Sequence, residues 1–319
     1  MVVGAMLNCS EDWLSPALLD MTRRVTLASA KARAKINLTL DVLGKRGDGY
    51  HELRSLVVSV DLFDRVSCRL RPEPGVGIAC NDSALNGPDN LAYRAAVKLA
   101  GRTGLDPSLE INLEKHIPIA AGLGGGSSDA AATLHLCNEL WRTELDSRKL
   151  AEIGAELGSD VPLFFSLPAA LVRGRGEHVE PVRMRWAGWV LLAFVDARVS
   201  TEEVYNAWRQ GDGEWSPGER SDRVLQATSA EEISPLLSNH LEPAVFRVSP
   251  AVQNAYEVLQ RTGLGPMRVS GAGSTLYRLF DDKEGACRAA RKIDDMPMGL
   301  RTSVVAAPAG PGFAISEEY

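Results

Sequence analysis

From Lys35 to Val42 apolar and polar residues alternate, which places Ile36, Leu38, Leu40 and Val42 on one face of a strand and Lys35, Asn37, Thr39 and Asp41 on the other. Lys35 and Asn37 therefore point the same way. Gly44 to Gly49 has the composition of a loop, and a second apolar run spans Leu56 to Phe63. Val66, Cys68 and Leu70 alternate with Ser67, Arg69 and Arg71 for a third strand, and Leu109, Ile111 and Leu113 with Glu110, Asn112 and Glu114 for a fourth. Asn90 to Leu99 predicts a helix between them. Pro118 to Ala132 is a glycine loop opening into a helix, in which Ala130, Leu134, Cys137 and Trp141 recur at helical spacing. Ser127, Ser128 and Asp129 are its expected caps. A helix over roughly Ser147 to Leu157 stops at Gly158 and delivers Asp160 to a junction fixed by Pro162. Beyond Trp186 the pattern restarts with strands at Trp189 to Val195, from Met267, and at Thr275 to Phe280, with a Gly271-Ala272-Gly273 turn before the last. These elements predict an α+β chain divided into residues 25–186 and 187–319, with 1–24 as an extension of unassigned role and Gln210 to Arg220 as a surface loop.

With 45% hydrophobic and 24% charged residues, the 319-residue chain has the make-up of an ordinary folded protein large enough for two domains. A net charge of -6 argues against nucleic acid or an anionic membrane as the main partner. No run approaches the ~20 apolar residues of a membrane span. The five cysteines are odd in number and never in a C-x-x-C pair, as expected of small apolar residues in a reducing compartment. Met1 to Val25 lacks the charged start and apolar run of a signal peptide. The expectation is a cytoplasmic protein with no nucleic-acid, membrane or obligate protein partner.

The glycine loop carries the strongest chemistry, because small residues let backbone N–H groups approach an anion at a helix N-terminus. It is not a Walker loop, since no Lys-Ser/Thr follows the glycines, and Ser127, three residues beyond Gly124, departs from the dinucleotide fingerprint. A glycine run alone also suits mere tight packing. Ser127, Ser128 and Asp129 add hydroxyls for phosphate and a route to Mg²⁺. His51-Glu52 lacks the second histidine of a zinc-protease helix, Ser55 standing in its place, and no G-x-S-x-G elbow occurs. No metal cage of protein side chains is expected. Standing alone, Lys35 reads as a solvated strand residue and Asp160 as a helix cap.

Together the motifs say more. Ala34-Lys-Ile-Asn-Leu, Gly44-Lys-Arg-Gly-Asp-Gly-Tyr-His-Glu-Leu, Gly122-Leu-Gly-Gly-Gly-Ser-Ser-Asp-Ala-Ala, Gly158-Ser-Asp-Val-Pro and Ser270-Gly-Ala-Gly-Ser-Thr resemble, in matching order from about Val25 onward, the 4-diphosphocytidyl-2-C-methyl-D-erythritol kinase family of the galactokinase, homoserine kinase and mevalonate kinase (GHMP) superfamily. The Gly-Tyr-His segment separates this family from other GHMP kinases. Arg33 stands where the family usually has Pro, and Ser159 where Ala is usual; neither change removes a functional side chain.

The resemblance implies an N-terminal lobe like ribosomal protein S5 domain 2, a ferredoxin-like C-terminal lobe, and ATP with Mg²⁺ in the cleft between them. It implies a substrate carrying a cytidine diphosphate group, phosphorylated on its 2-hydroxyl in the non-mevalonate route to isoprenoids. By the same resemblance Asp160 would be the general base and Lys35 would steady the developing charge. ATP would lie on Pro118, Ala121, Gly122, Leu123, Gly124, Gly125, Gly126, Ser127 and Ser128, with Asn90 and Lys115 toward adenine. Tyr50 and Tyr205 would stack on the cytosine and His51 would bond its edge, while Asn37 and Thr201 would lie near the rest of the substrate. The glycine loop by itself also allows a kinase for mevalonate, homoserine or a sugar, against which Tyr50-His51 argues. A catalytically inactive nucleotide-binding regulator is opposed by the intact Lys35, Asp160 and loop.

Overall fold

A computed structural model describes residues 26–212 and 219–317, so the N-terminal extension and residues 213–218 of the expected loop lie outside the described residues. The alternating segment at Lys35 is the second half of β1 (Leu27–Lys45). The second and third predicted strands are one continuous element, β2 (His51–Leu70). Asp61 and Asp64 interrupt its apolar pattern, yet a register shift opposite Arg33/Ala34 leaves Asp61 and Leu62 without β1 partners and lets pairing continue on both sides as a bulge. Beside the bulge β1 passes from one core to the other. Ala28, Ala30 and Ala32 pack with the helices, whereas Ala34, Ile36 and Leu38 pack between the two sheets.

β3 (Gly75–Cys80), α1 (Leu91–Thr103) and β4 (Ser108–Glu114) lead to α2 (Gly125–Trp141) and α3 (Ser147–Ala155), then to β5 (Ala169–Gly174) and β6 (His178–Pro181). The helices α1, α2 and α3 cover one face of this sheet through Leu99, Leu134, Leu136 and Leu150. The second half opens with β7 (Gly188–Phe194), α4 (Thr201–Ala207), α5 (Glu219–Gln226), α6 (Ala230–Ile233), β8 (Ser238–Asn239), α7 (Glu242–Val248) and α8 (Pro250–Arg261). It ends with β9 (Arg268–Val269), β10 (Leu276–Phe280), α9 (Lys283–Asp294), β11 (Arg301–Ala307) and β12 (Phe313–Glu317).

Strands β11-β7-β10-β9 form a four-stranded antiparallel sheet backed by α8 and α9, the ferredoxin-like arrangement. The larger sheet runs β12-β1-β2-β4-β3, with β5 on β2. Two of its strands come from beyond Trp186: β12 pairs with Ala28 to Ala32 of β1, and β8 pairs with Thr39 and Leu40. The two halves are therefore interlocked through β1. Both faces of that strand are buried: the second sheet covers Ile36 and Leu38, while on the opposite side Thr39 and Asp41 bond Ser221 and Ser238 and Lys35 and Asn37 line a cavity. A segment whose alternation reads as half-solvated is thus buried throughout, and Lys35 is only 5% exposed.

Among the described cysteines, Cys68 and Cys137 are buried and Cys80 and Cys287 half-buried, all as free thiols; Cys9 lies outside the described residues. No helix among the described residues is long and apolar enough to cross a membrane.

Candidate active site

The glycine loop joins β4 to α2 across the seam of the two lobes. Three successive carbonyls are taken by the scaffold: Thr275 N–H donates to Ala121 O at 3.3 Å, the Ser270 hydroxyl to Gly122 O at 3.0 Å, and Lys35 N–H to Leu123 O at 3.0 Å. In a planar trans peptide the N–H points opposite to the preceding C=O. The N–H groups of Gly122, Leu123 and Gly124 therefore face away from those donors, in a loop that lines the cavity. Gly122 requires its lack of a side chain twice over, with φ at +74° and a Cβ position that would overlap the Ser270 carbonyl oxygen.

Gly124, at φ +70°, is the N-cap of α2, so the expected caps Ser127, Ser128 and Asp129 lie inside the helix. The chain turns earlier than the side chains suggest because Gly124 O already accepts the Ser128 N–H at 2.9 Å. A Cβ on Gly124 would stand 3.1 Å from Lys35 Cγ and 2.9 Å from Phe164 Cζ. Tight packing is thus part of what the glycines do, and what they pack against is Lys35.

One cavity of about 940 Å³ gathers most of the expected residues. Pro118, Ala121 to Ser127, Asn90 and Lys115 line it together with Asn37, Tyr50, His51, Thr201 and Tyr205, and so do Lys35 and Asp160. Ser128 is the exception, since it is fully buried behind the loop. Asn90 is engaged in local structure, its Oδ1 accepting from Ala92 N at 2.9 Å to cap α1 and its Nδ2 donating to Leu85 O at 3.0 Å. Lys115 is likewise committed: its ammonium pairs with Asp64 and donates to Asp129 Oδ2 at 2.7 Å. Burial pushes the Asp129 carboxyl up to about 7, opposed by the Lys115 charge and reinforced by that of Asp64.

Lys35 Nζ donates to Asn37 Oδ1 at 2.7 Å and stands 3.9 Å from Asp160 Oδ2. Burial pushes its pKa down, and the Asp160 charge partly opposes this. Asn37 in turn donates to the Ser55 hydroxyl at 2.8 Å, and its backbone carbonyl accepts the Tyr277 hydroxyl at 2.8 Å. The Gly271 turn closes over this group: a Cβ there would stand 3.2 Å from Lys35 Nζ and 3.3 Å from Asn37 Oδ1. Asn239 holds that turn by donating to the Val269 and Gly271 carbonyls. Asp160, by contrast, is open to the cavity, with 49% of its side chain exposed.

Among the aromatic side chains, the His51 ring lies 5.1 Å from that of Tyr205, tilted by 31°, and 5.3 Å from Trp208, edge-on. Burial, with the Lys45 charge, lowers the His51 pKa and favours a neutral imidazole. Tyr50 is half exposed, and the Arg175 guanidinium lies 5.0 Å from its ring centre. Arg175 and Trp208 belong to no motif and were not expected here; a lone Arg between Gly174 and Gly176 is a weak signal. Asp64 was also missed, although a charge within an otherwise apolar strand pattern marks it.

Comparison with known proteins agrees with this architecture. The sequence pattern of the GHMP kinases N terminal domain matches residues 90–166, and that of GHMP kinases C terminal matches residues 223–296. The chain is 41% identical over 264 residues to the 4-diphosphocytidyl-2-C-methyl-D-erythritol kinase of Geobacter sp. (strain M21), covering 82% of this chain and 93% of that one. It is 39% identical over 279 residues to the same enzyme of Pelotomaculum thermopropionicum, covering 86% and 97%. A crystal structure of 4-(cytidine 5'-diphospho)-2C-methyl-D-erythritol kinase superposes with a TM-score of 0.75 at 33% identity, over 87% of this chain and 98% of that one. Homoserine kinase from Cytophaga hutchinsonii shares the fold, with a TM-score of 0.71 at 18% identity over 91% and 98% of the two chains.

Proposed function

The chain belongs to the 4-diphosphocytidyl-2-C-methyl-D-erythritol kinase family of the GHMP kinases, and from that premise we propose how its cavity divides the work. The reaction is ATP-dependent phosphorylation of 4-diphosphocytidyl-2-C-methyl-D-erythritol, in the non-mevalonate route to isoprenoid precursors. One observation carries the assignment of roles: Lys35, between Asn37 and Asp160, packs against Gly124 of the glycine loop in the cavity that Tyr50, His51 and Tyr205 also line.

Phosphoryl transfer asks mainly for an aligned hydroxyl and neutralised charge. The loop N–H groups hold the nucleotide phosphates, with the N-terminus of α2 behind them. Asp160 takes the proton of the substrate's 2-hydroxyl, and the Lys35 ammonium, steered by Asn37, faces the charge that develops on the transferring oxygens. The cytosine stacks between the rings of Tyr50 and Tyr205 and bonds His51, and Arg175 at the mouth offers a cation to the diphosphate.

The donor set suits Mg²⁺ brought in by the nucleotide. No group of three or more His, Cys, Asp and Glu side chains converges among the described residues, whereas Ser127 presents a hydroxyl beside the loop, fitting an ion held largely by phosphate and water. When bound, Mg²⁺ supplies charge neutralisation at the phosphates.

The cytosine reading is tested with Tyr205→Ala. Base stacking is worth ~1–3 kcal/mol, so KM for the cytidyl substrate rises roughly 5- to 150-fold while kcat and the KM for ATP stay close to wild type. A fall in kcat at unchanged KM contradicts the assignment.

A further inference from the structure

A carboxylate outside the proposed chemistry holds the entry of the glycine loop and, through Lys115, its exit. Asp64 is fully buried in β2, just past the bulge at Asp61 and Leu62. Its Oδ1 accepts the backbone N–H of His116 at 2.6 Å and of Ile117 at 2.8 Å, the residues that lead into the loop. Its Oδ2 pairs with Lys115, whose ammonium reaches on to Asp129 in the second turn of α2. Asp64 thus braces the entry directly and the exit through Lys115. The start of the helix rests on the same group: a Cβ on Gly125 would stand 3.0 Å from Ile117 Cγ2 and 3.2 Å from Lys115 Nζ.

We propose that Asp64 is a positioning residue for the nucleotide: its carboxylate sets the spacing between the two ends of the glycine loop, and so the affinity for ATP, without touching either substrate. Asp64 does not line the cavity, while the loop it braces does. Recognition of phosphate by backbone N–H groups depends on their placement, since a misplacement of about 1 Å costs on the order of 10²-fold in a catalytic site. A carboxylate held by three donors in a low-dielectric interior is a stiff anchor for such a loop. The proposal rests on the reading of the loop as the ATP site.

The test is Asp64→Asn in the full chain, with MgATP affinity measured by calorimetry without co-substrate, alongside steady-state kinetics. The amide still accepts from the loop backbone but no longer pairs as an ion with Lys115. Kd and KM for MgATP are expected to rise roughly 10- to 100-fold, as for loss of a charged hydrogen bond, with KM for the cytidyl substrate changed less than about twofold. Because leaving Lys115 short of a partner can unfold the chain, Asp64→Glu is measured in parallel. It keeps the charge opposite Lys115 but its longer side chain displaces His116 and Ile117, and it should show the same selective loss. A folded variant with wild-type MgATP affinity overturns the proposal, and so does an equal rise in both KM values, which marks a merely structural role. If the wild-type chain binds no MgATP saturably, the loop reading falls and the proposal with it; wild-type binding with unaltered variants removes only the part assigned to Asp64.

Discussion

Asp160→Asn lowers kcat by about 10²–10⁴-fold, the range for loss of a positioned general base, while both KM values stay within about threefold of wild type. Asn keeps the shape of the side chain but cannot take the proton of the attacking hydroxyl. The substitution is structurally quiet. Asp160 is half exposed, and its turn is set by its neighbours, through the bond from Val161 N–H to Gly158 O at 3.1 Å and the ring of Pro162. Melting temperature should therefore be unchanged. Near-normal turnover in a folded variant would remove Asp160 from the mechanism, and a rise in the cytidyl KM alone would make it a binding residue only.

Lys35→Met produces the opposite pairing of effects to an ordinary core mutation: activity collapses while stability holds or rises. The ammonium is buried almost completely, and that burial is what depresses its pKa. Burying a charge carries an effective penalty of several kcal/mol even after relaxation, which Met, of similar length, removes. Against that gain, Asn37 Oδ1 loses its donor, at a cost of roughly 1–3 kcal/mol. The two nearly cancel. Loss of a donor aimed at developing charge lowers kcat by about 10²–10³-fold. Thermal unfolding and kinetics on the same preparation check both halves, and a large fall in melting temperature would show that Lys35 is retained for the fold. Such a balance, a charge held at a structural loss where the chemistry needs it, is common at active sites.

The local elements were legible because each carries its own signal. Alternation gave β1 from Lys35 and β4, and a continuous apolar run gave β7; helical spacing gave α2; the glycine loop and the Pro162 junction were punctuated by Gly and Pro. What was lost depends on contacts distant in sequence. Asp61 and Asp64 look like the end of a strand, and only pairing with β1 across a bulge makes β2 continuous. Pairing of β12 and β8 with β1 joins residues roughly two hundred or more positions apart, which no local pattern encodes.

The site divides along the same line. Lys35 and Asn37 could be placed on one strand face, but that this face is buried follows from the second lobe closing over it at Gly271. The serines after the glycine run were expected to cap the helix, whereas Gly124 does so, because a left-handed residue there lets Lys35 and Phe164 pack against the loop. Asn90 and Lys115 illustrate a further limit: a motif names a residue without saying where its side chain is spent.

The most direct test of the account is a single substrate panel. The full chain is incubated with MgATP and, separately, 4-diphosphocytidyl-2-C-methyl-D-erythritol, mevalonate, homoserine and galactose, with ADP release followed and product mass determined. Turnover of the cytidyl substrate alone, with a gain of one phosphate, is the predicted result. Turnover of another acceptor in its place would keep the kinase fold and contradict the roles given to Tyr50, His51 and Tyr205, and nucleotide binding without turnover of any acceptor would contradict those of Lys35 and Asp160.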